Sequence, residues 1–198
     1  MSILLIAGSP SERSRSSALL DAVQQRLEDQ VAARGVVIDR VQIRHLSPQA
    51  LLLAHWTHPS IRRAIAQVES ASAVVVATPV YKAAYSGVLK VFLDLLPQTA
   101  FKGKTVLPLA TGGSPHHMLA LDYALRPVLQ SLGARHILPG VYASDHQLPK
   151  DADDQVQISD EIGARLDDAV NVLLHDALRL PHRTGFDPVP FSALRYSV

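Results

Sequence analysis

The sequence contains no cysteine among its 198 residues. This absence excludes a disulfide framework, a thiol nucleophile and a thiolate metal site. A histidine metal site is not indicated either, because His55 and His58 have no convincing acidic partner or third histidine beside them. We therefore predict no metal site, and the lack of disulfides is compatible with a reducing compartment.

An excess of charge of either sign is also lacking. Nineteen basic residues face 18 acidic ones, for a formal net charge of +1, so there is no basic footprint for nucleic acid. No apolar run approaches the length of a membrane-spanning helix, and the amino terminus enters a strand without the basic segment of a signal peptide. We expect a soluble, cytoplasmic protein with no nucleic-acid or membrane partner.

Short apolar runs alternate with helical periods along the chain. The predicted strands, each followed by a helical pattern, are residues 3–7, 36–43, 73–79, 104–110 and 135–143. This alternation predicts one α/β domain, residues 1–180, built as a three-layer sandwich on a five-stranded parallel sheet. Residues 144–157 are expected to form a solvated polar segment, and residues 181–198 a C-terminal tail.

Five serines and two arginines follow the first predicted strand, in residues 8–17. Backbone N–H groups, the helix dipole and serine hydroxyls can bind one anion at the start of the next helix, and arginine adds charge-assisted bonds to phosphate. A serine N-cap with solvated arginines would account for the same residues. The segment lacks the motifs of a P-loop and of a dinucleotide fingerprint, which favours a monophosphate ligand.

Two further loops leave the predicted sheet at the same edge. Pro79 cannot donate to a ladder, so we expect the third strand to end there, and Tyr81 and Tyr85 beyond it form either a wall for a flat ligand or a cover for the sheet end. Residues 111–113 let backbone approach a ligand, although a glycine turn capped by Ser114 explains them equally well. The roles of the neighbouring histidines, His116 and His117, stay open.

The three loops converge if the strand order is the flavodoxin-like 2-1-3-4-5, because ligands then bind at the switch point between strands one and three. A phosphate site, a flat wall and a polar edge together describe FMN. Further along, Pro127 lies inside a predicted helix, 118–132, and removes the usual donor to the carbonyl of Tyr123. The residues alone favour a kink there, with a π-type turn as the alternative.

Three segments closely resemble the NADPH-dependent FMN reductase family. They are GSP at 8–10 with SRSS at 14–17, ATPVYKAAYSG at 77–87 and LPLATGG at 107–113. The resemblance covers residues 3–178 and is closest to reductases of two-component alkanesulfonate monooxygenase systems. It implies reduction of FMN to FMNH2 by NADPH or NADH, and delivery of FMNH2 to a separate flavin-dependent monooxygenase that desulfonates organosulfonates.

By position, the resemblance implies three sets of FMN contacts. They are Ser9, Arg15, Ser16 and Ser17 on the phosphate, Pro79, Val80, Tyr81, Lys82 and Ser86 along the isoalloxazine, and Thr111, Gly112 and Gly113 at its edge. No catalytic side chain is implied, because hydride passes between stacked rings.

The resemblance also implies a π-helix containing Tyr123 at the interface of a homotetramer or homodimer. In the family this feature is linked to flavin acting as a substrate, and it replaces the kink as our expectation. Two alternatives share the fold: a quinone or azo reductase with prosthetic FMN, and a flavodoxin-type electron carrier. Carriers of that kind are usually strongly acidic, unlike this chain.

Overall fold

The structure, a computed structural model, describes residues 2–31 and 35–179. Its strands are β1 Ser2–Ala7, β2 Val37–Gln42, β3 Ala73–Tyr81, β4 Ala84–Tyr85, β5 Thr105–Gly112, β6 His136–Ile137 and β7 Val141–Ser144. Its α-helices are α1 Arg15–Val31, α2 Pro48–Leu52, α3 Pro59–Ser70, α4 Gly87–Asp94, α5 Arg126–Ser131 and α6 Asp160–Arg179. The predicted tail, 181–198, lies outside the described residues.

The sheet confirms the flavodoxin-like order. Strands β2, β1, β3 and β5 lie side by side in parallel, and β6 and β7 share the fifth position beside β5. The predicted count of five strands is wrong, because the fifth is divided and because β4 adds a short antiparallel pairing to the end of β3. No helix within residues 2–31 and 35–179 is long and apolar enough to cross a bilayer.

Pro108 explains the divided fifth position. The carbonyl of Val106 accepts a hydrogen bond from the N–H of Leu138 at 2.9 Å. The backbone groups of every second residue in a strand point to the same side, so the backbone nitrogen of Pro108 also faces the fifth position. Proline has no N–H to donate to it. Gly140 passes close by, where an added Cβ would lie 3.1 Å from the Pro108 carbonyl oxygen. The predicted strand 135–143 is therefore interrupted opposite this proline.

The two faces of the sheet bury separate cores, which confirms the three layers. Ile3 and Leu5 point to one face, where α1 and α6 cover them. Leu4 and Ile6 point to the other, towards α3, α4 and α5. All four side chains are fully buried, as expected for a parallel strand covered on both sides.

The third strand does not end at Pro79, so that expectation is wrong. Pro79 pairs in register with Thr111 of β5, and β3 continues to Tyr81. The carbonyl of Ala77 accepts a hydrogen bond from the N–H of Gly8, so the backbone of Ala77 points towards the side of β1. The backbone nitrogen of Pro79, two residues later, points to that same side. Because β1 already ends at Ala7, the missing donor of Pro79 costs no ladder bond.

The predicted helix 118–132 is irregular. A 3₁₀ turn, Pro115–Leu119, leads into a π-helix, Leu121–Leu125, and then into α5. The N–H of Arg126 donates to the carbonyl of Leu121, five residues earlier. The π-helix containing Tyr123 is confirmed, and the kink favoured by the residues alone is wrong, because the wider turn ends just where Pro127 enters the first turn of α5.

Candidate functional site

A cleft of about 230 Å³ opens at the carboxyl edge of the sheet, beside the ends of β3 and β5. Its lining residues are Ser11, Arg13, Ser14, Arg15, Pro79, Val80, Tyr81, Thr111, Gly112, Gly113, Asp145 and Lys150. All three predicted loops contribute to it. A larger groove of about 590 Å³ runs between β2 and α3 but contains no residue of these loops, so volume alone would select a different cavity.

The cleft brings together seven of the twelve predicted FMN contacts. These are Arg15, Pro79, Val80, Tyr81, Thr111, Gly112 and Gly113. The other five, Ser9, Ser16, Ser17, Lys82 and Ser86, do not line it. Ser11, Arg13, Ser14, Asp145 and Lys150 line it without having been predicted as contacts.

Hydroxyl hydrogen bonds fix the first loop from within. The Oγ of Ser14 accepts from the N–H of Ser17 at 3.0 Å and thereby caps α1. It also donates to the Oγ of Ser17 at 2.8 Å and lies 3.3 Å from the Oγ of Ser16. Ser9 is 2% exposed, and its Oγ accepts from the N–H of Ser11 at 3.1 Å. Ser9 and Ser16 are therefore buried supports of the loop.

Arg15 ties the first loop to the segment after β7. Its Nε donates to the carbonyl of Leu148 at 2.8 Å, and its Nη1 lies 3.3 Å from Oδ2 of Asp145. The N–H of Asp145 in turn donates to the carbonyl of Gly112 at 3.0 Å. The polar segment expected to be solvated thus reaches the cleft, and no sequence motif marks it.

The predicted tyrosine loop is a β-hairpin. Val80 pairs with Tyr85, and Tyr81 with Ala84, which leaves Lys82 and Ala83 as a two-residue turn. Their φ angles are 49° and 64°, as in a type I′ turn, where glycine or asparagine is usual and other residues cost about 1–2 kcal/mol each. The hairpin holds Tyr81, which is 47% exposed, beside the cleft.

Ser86 joins two loops from behind the cleft. Its Oγ donates to the carbonyl of Gly8 and accepts from the N–H of Leu89 at 3.3 Å, and its N–H donates to Oγ1 of Thr78 at 3.0 Å. The residue is fully buried. Its local role is therefore to cap α4 and to connect that helix to the first loop.

The side chain of Tyr142 packs against the glycine edge, a contact that no sequence motif indicated. Its Oη donates to the carbonyl of Ser114 at 2.5 Å, and a Cβ added to Gly112 would lie 2.8 Å from that Oη. Burial, aided by the charge of Asp145, raises the pKa of Tyr142, so its hydroxyl stays a donor. Nearby, Nδ1 of His117 is buried and has no hydrogen-bond partner among the described residues.

The chemistry of the lining fits FMN. Arginine and lysine side chains lie at one part of the cleft, as a phosphate requires, while Pro79, Val80 and Tyr81 offer an apolar and aromatic surface for a flat ring. At Gly112 the backbone itself forms the edge, and an added Cβ would lie 2.8 Å from the Oη of Tyr142. In the described part of the chain, no group of three or more acidic or histidine side chains could hold a metal ion.

Comparison with known proteins gives consistent matches. The family model described as NADPH-dependent FMN reductase matches residues 1–148. A protein of Escherichia coli K12 named FMN reductase (NADPH) is 44% identical over 170 residues, 86% of each chain. The NADH-dependent FMN reductase SfnE of Pseudomonas putida is 32% identical over 148 residues, 75% of this chain and 79% of that one.

A solved structure agrees with these sequence matches. The apo form of the NADH:FMN oxidoreductase EMOB superposes with a TM-score of 0.78 at 38% identity, covering 92% of this chain and 91% of that one. The family model spans the three loops of the cleft, and the relatives match most of their own length. The chain belongs to the NADPH-dependent FMN reductase family.

Proposed function

We propose that this protein uses NADPH or NADH to reduce FMN, and that it releases FMNH2 to a separate flavin-dependent monooxygenase that desulfonates organosulfonates. The observation that carries the reductase part is the convergence of cationic, aromatic and glycine loops in one cleft at the switch point of the sheet. The family match supports the same part. The monooxygenase partner is implied by the resemblance described above, whereas the proposed cytoplasmic location is carried over from the composition of the chain.

The chain's own residues bind and orient in this mechanism. Bound FMN supplies the acceptor for the hydride of the nicotinamide and for one proton. Arg15, the first residue of α1, would hold the phosphate end, and Val80 and Tyr81 would orient the ring for stacking. Gly112 lets backbone reach the ring edge. No side chain of the cleft is required as a general base, because the reaction breaks no bond that needs one.

Exposed apolar side chains on and before the π-helix support the proposal of a homotetramer or homodimer. Tyr123 of the π-helix is 78% exposed, and Met118 and Leu119 before it are 55% and 53% exposed. Exposed apolar patches mark interaction sites. We propose that a second copy of the chain covers these three side chains, with Tyr123 at the contact.

The first test is the visible spectrum of the purified protein, followed by NADPH and NADH oxidation with and without added FMN. We expect a colourless protein whose oxidation depends on added FMN. A yellow protein that reduces quinones or azo compounds without added FMN would instead be a prosthetic-flavin reductase. A yellow protein that does not oxidise pyridine nucleotide would be an electron carrier.

Deletion of Tyr123 tests whether the π-helix makes the flavin a substrate. Removing one residue shortens the five-residue hydrogen-bonded turn to the regular four-residue one. We expect the deletion variant to retain flavin through purification, measured as visible absorbance per chain. Tyr123→Ala is the control, because it removes the ring and keeps the residue count. A deletion variant that purifies colourless contradicts the proposed role of the π-helix.

A further inference from the structure

Residues 149–157 follow β7 in the chain and contribute Lys150 to the cleft. Hydrogen bonds within this loop define its geometry. The N–H of Gln157 donates to the carbonyl of Pro149 at 2.8 Å, and the N–H of Asp151 donates to the carbonyl of Gln155 at 2.9 Å. The Asp151 carboxylate accepts from the N–H of Gln155 and from Nε2 of Gln157. These bonds, that of the Gln155 backbone first, lower the pKa of Asp151.

This loop places Lys150 in the cleft. The backbone of Lys150 bridges to Val156 within the loop, and its side chain lines the same cleft as Arg13 and Arg15. Its Nζ lies 2.6 Å from Oδ1 of Asp154, with 28% and 49% of the two side chains exposed. The ammonium group is thus held at the cleft by a carboxylate that is itself half open to solvent.

Arg13 is the other basic residue of the cleft that its neighbours leave available. It is exposed, and it makes no hydrogen bond or salt bridge within the described residues. Its charge and that of Arg15 lower the pKa of Asp154, after the larger effect of Lys150. Three cations therefore share two carboxylates, Asp154 and the Asp145 that pairs with Arg15.

Among these five charged groups the surplus is positive, and both ion pairs are open enough to exchange partners. Exposed pairs of this kind contribute little stability, about 0–1 kcal/mol, so an incoming anion can displace a carboxylate at small cost. A phosphomonoester carries a charge of about −1.5 to −2 at neutral pH and three acceptor oxygens. It can therefore accept from Lys150 and Arg13 together, which neither carboxylate does.

We propose that Lys150 and Arg13 bind a phosphomonoester in this cleft, and that Asp154 holds the Lys150 ammonium in place until the anion arrives. The inference rests on the proposed use of this cleft for FMN and NAD(P)H. Two ligands of that reaction carry such a group, the 5′-phosphate of FMN and the 2′-phosphate of NADPH. The shared chemistry is the phosphomonoester, and the experiment separates the two sources.

The test compares Lys150→Gln with the parent protein in four titrations, using FMN, riboflavin, NADPH and NADH. A contact with the 5′-phosphate predicts about three- to tenfold weaker FMN binding and unchanged riboflavin binding. A contact with the 2′-phosphate predicts the same loss for NADPH and none for NADH. Equal changes within both pairs, or no change at all, would overturn the proposal.

Lys90→Gln is the matched control. Lys90, like Lys150, forms a salt bridge with an aspartate four residues later, and its Nζ lies 2.6 Å from Oδ1 of Asp94. Lys90 lies on α4, however, and does not line the cleft. Its loss should leave all four dissociation constants unchanged. A change as large as that of Lys150→Gln would mean that any lysine removal acts through general charge, and the proposal would fail.

Asp154→Asn separates binding from support of the loop. Asp154 has a φ of 60°, which asparagine tolerates well, so the loop conformation should persist. Freeing Lys150 should strengthen binding of the phosphorylated ligand about two- to threefold. If Lys150 only supported the loop, Asp154→Asn would weaken binding as Lys150→Gln does, and the proposal would be wrong.

Gly112→Ala distinguishes failure of this inference from failure of the proposed site. Gly112 lies at the glycine edge of the same cleft, at the end of β5 and not on the loop that carries Lys150. If Gly112→Ala weakens FMN binding and Lys150→Gln weakens none of the four ligands, the cleft assignment stands and the phosphomonoester site is wrong. If neither variant changes any constant, the cleft assignment fails and the inference fails with it.

Discussion

The two walls of the cleft are built in different ways. The first wall, residues 8–17, has no non-glycine residue at positive φ, and its serine hydroxyls bond to one another and to nearby backbone. The second wall, residues 80–85 and 111–113, has two consecutive residues at positive φ, and a 3₁₀ turn and a π-helix follow it in the chain. The serine hydroxyls of the first wall are taken up by these bonds, whereas the second wall is shaped by unusual backbone geometry.

Some side chains in and just after the second wall are exposed or lack a hydrogen-bond partner, and these indicate where ligands and other subunits bind. Tyr81 and Tyr123 are exposed, and Nδ1 of His117 is buried without a partner in the described residues. Unusual backbone and unused polar atoms persist where they serve function. The comparison therefore predicts that substitutions of the buried residues of the first wall mainly lower stability, and that substitutions in the second wall mainly change ligand binding.

Gly8→Ala in the first wall should have the largest effect. A Cβ there would lie 2.9 Å from the carbonyl oxygen of Ala77 and 3.1 Å from the Cβ of Leu89. Neither atom can move without shifting β3 or α4, so we expect a loss of about 2–3 kcal/mol in the free energy of unfolding. That corresponds to a fall of about 4–12 °C in Tm for a domain of this size.

The control for Gly8→Ala is Gly87→Ala. Gly87 begins α4, and an added Cβ would meet no atom within 4 Å. Its substitution should leave Tm unchanged or slightly raised, because alanine favours the helix. Urea or thermal unfolding of both variants measures the difference. Equal stabilities would contradict the view that the first wall is closely packed on β3.

Gly112→Ala in the second wall should have an intermediate effect, and mainly on FMN. Its Cβ would displace the Oη of Tyr142, which supports Ser114. We expect FMN binding to weaken about tenfold, with a stability loss of about 1 kcal/mol. Titration of FMN by fluorescence, together with thermal unfolding, separates the two effects.

Tyr142→Phe provides the rescue test for Gly112→Ala. Removing the hydroxyl costs the bond to Ser114, about 1 kcal/mol, and also frees the space that the new methyl group needs. In the double variant, FMN binding should recover most of the loss caused by Gly112→Ala alone. Additive losses in the double-mutant cycle would show that the two residues do not interact.

The features predictable from the sequence are those that local patterns set. The strand order and the meeting of the three loops follow from apolar runs and from what comes directly after each run, and both were confirmed at the level of the sheet and the cleft. Pro79 was misread, because the cost of a missing N–H depends on which neighbour it faces, and that is set by where β1 ends. The hairpin at Lys82 was missed for lack of a glycine or asparagine signal.

The residues that contact the site from distant parts of the chain could not be predicted from the sequence. Asp145 and Lys150 line the cleft, and Tyr142 supports its glycine edge, because β7 lies beside β5 and the chain folds back after it. No spacing or motif connects them to the three loops. The π-helix needed a family pattern, since Pro127 alone is compatible with a kink and with a wider turn.

The smallest expected effect compares two alanines at positive φ, Ala83 in the second wall and Ala54 outside both walls, with φ of 64° and 53°. Glycine at either position removes about 1–2 kcal/mol of strain and adds about 0.5–1 kcal/mol of chain entropy. Ala83→Gly and Ala54→Gly should therefore each gain roughly 0.5–1 kcal/mol in chemical denaturation.

Only Ala83→Gly should also change FMN binding. The turn at Ala83 holds Tyr81 beside the cleft, and a glycine there lets the hairpin sample other positions, which costs affinity when the ring must be ordered again. We expect FMN to bind about twofold more weakly to this variant and unchanged to Ala54→Gly. Equal FMN affinity in both variants would mean that the strained turn does not position Tyr81, and that packing on the π-helix holds the hairpin instead.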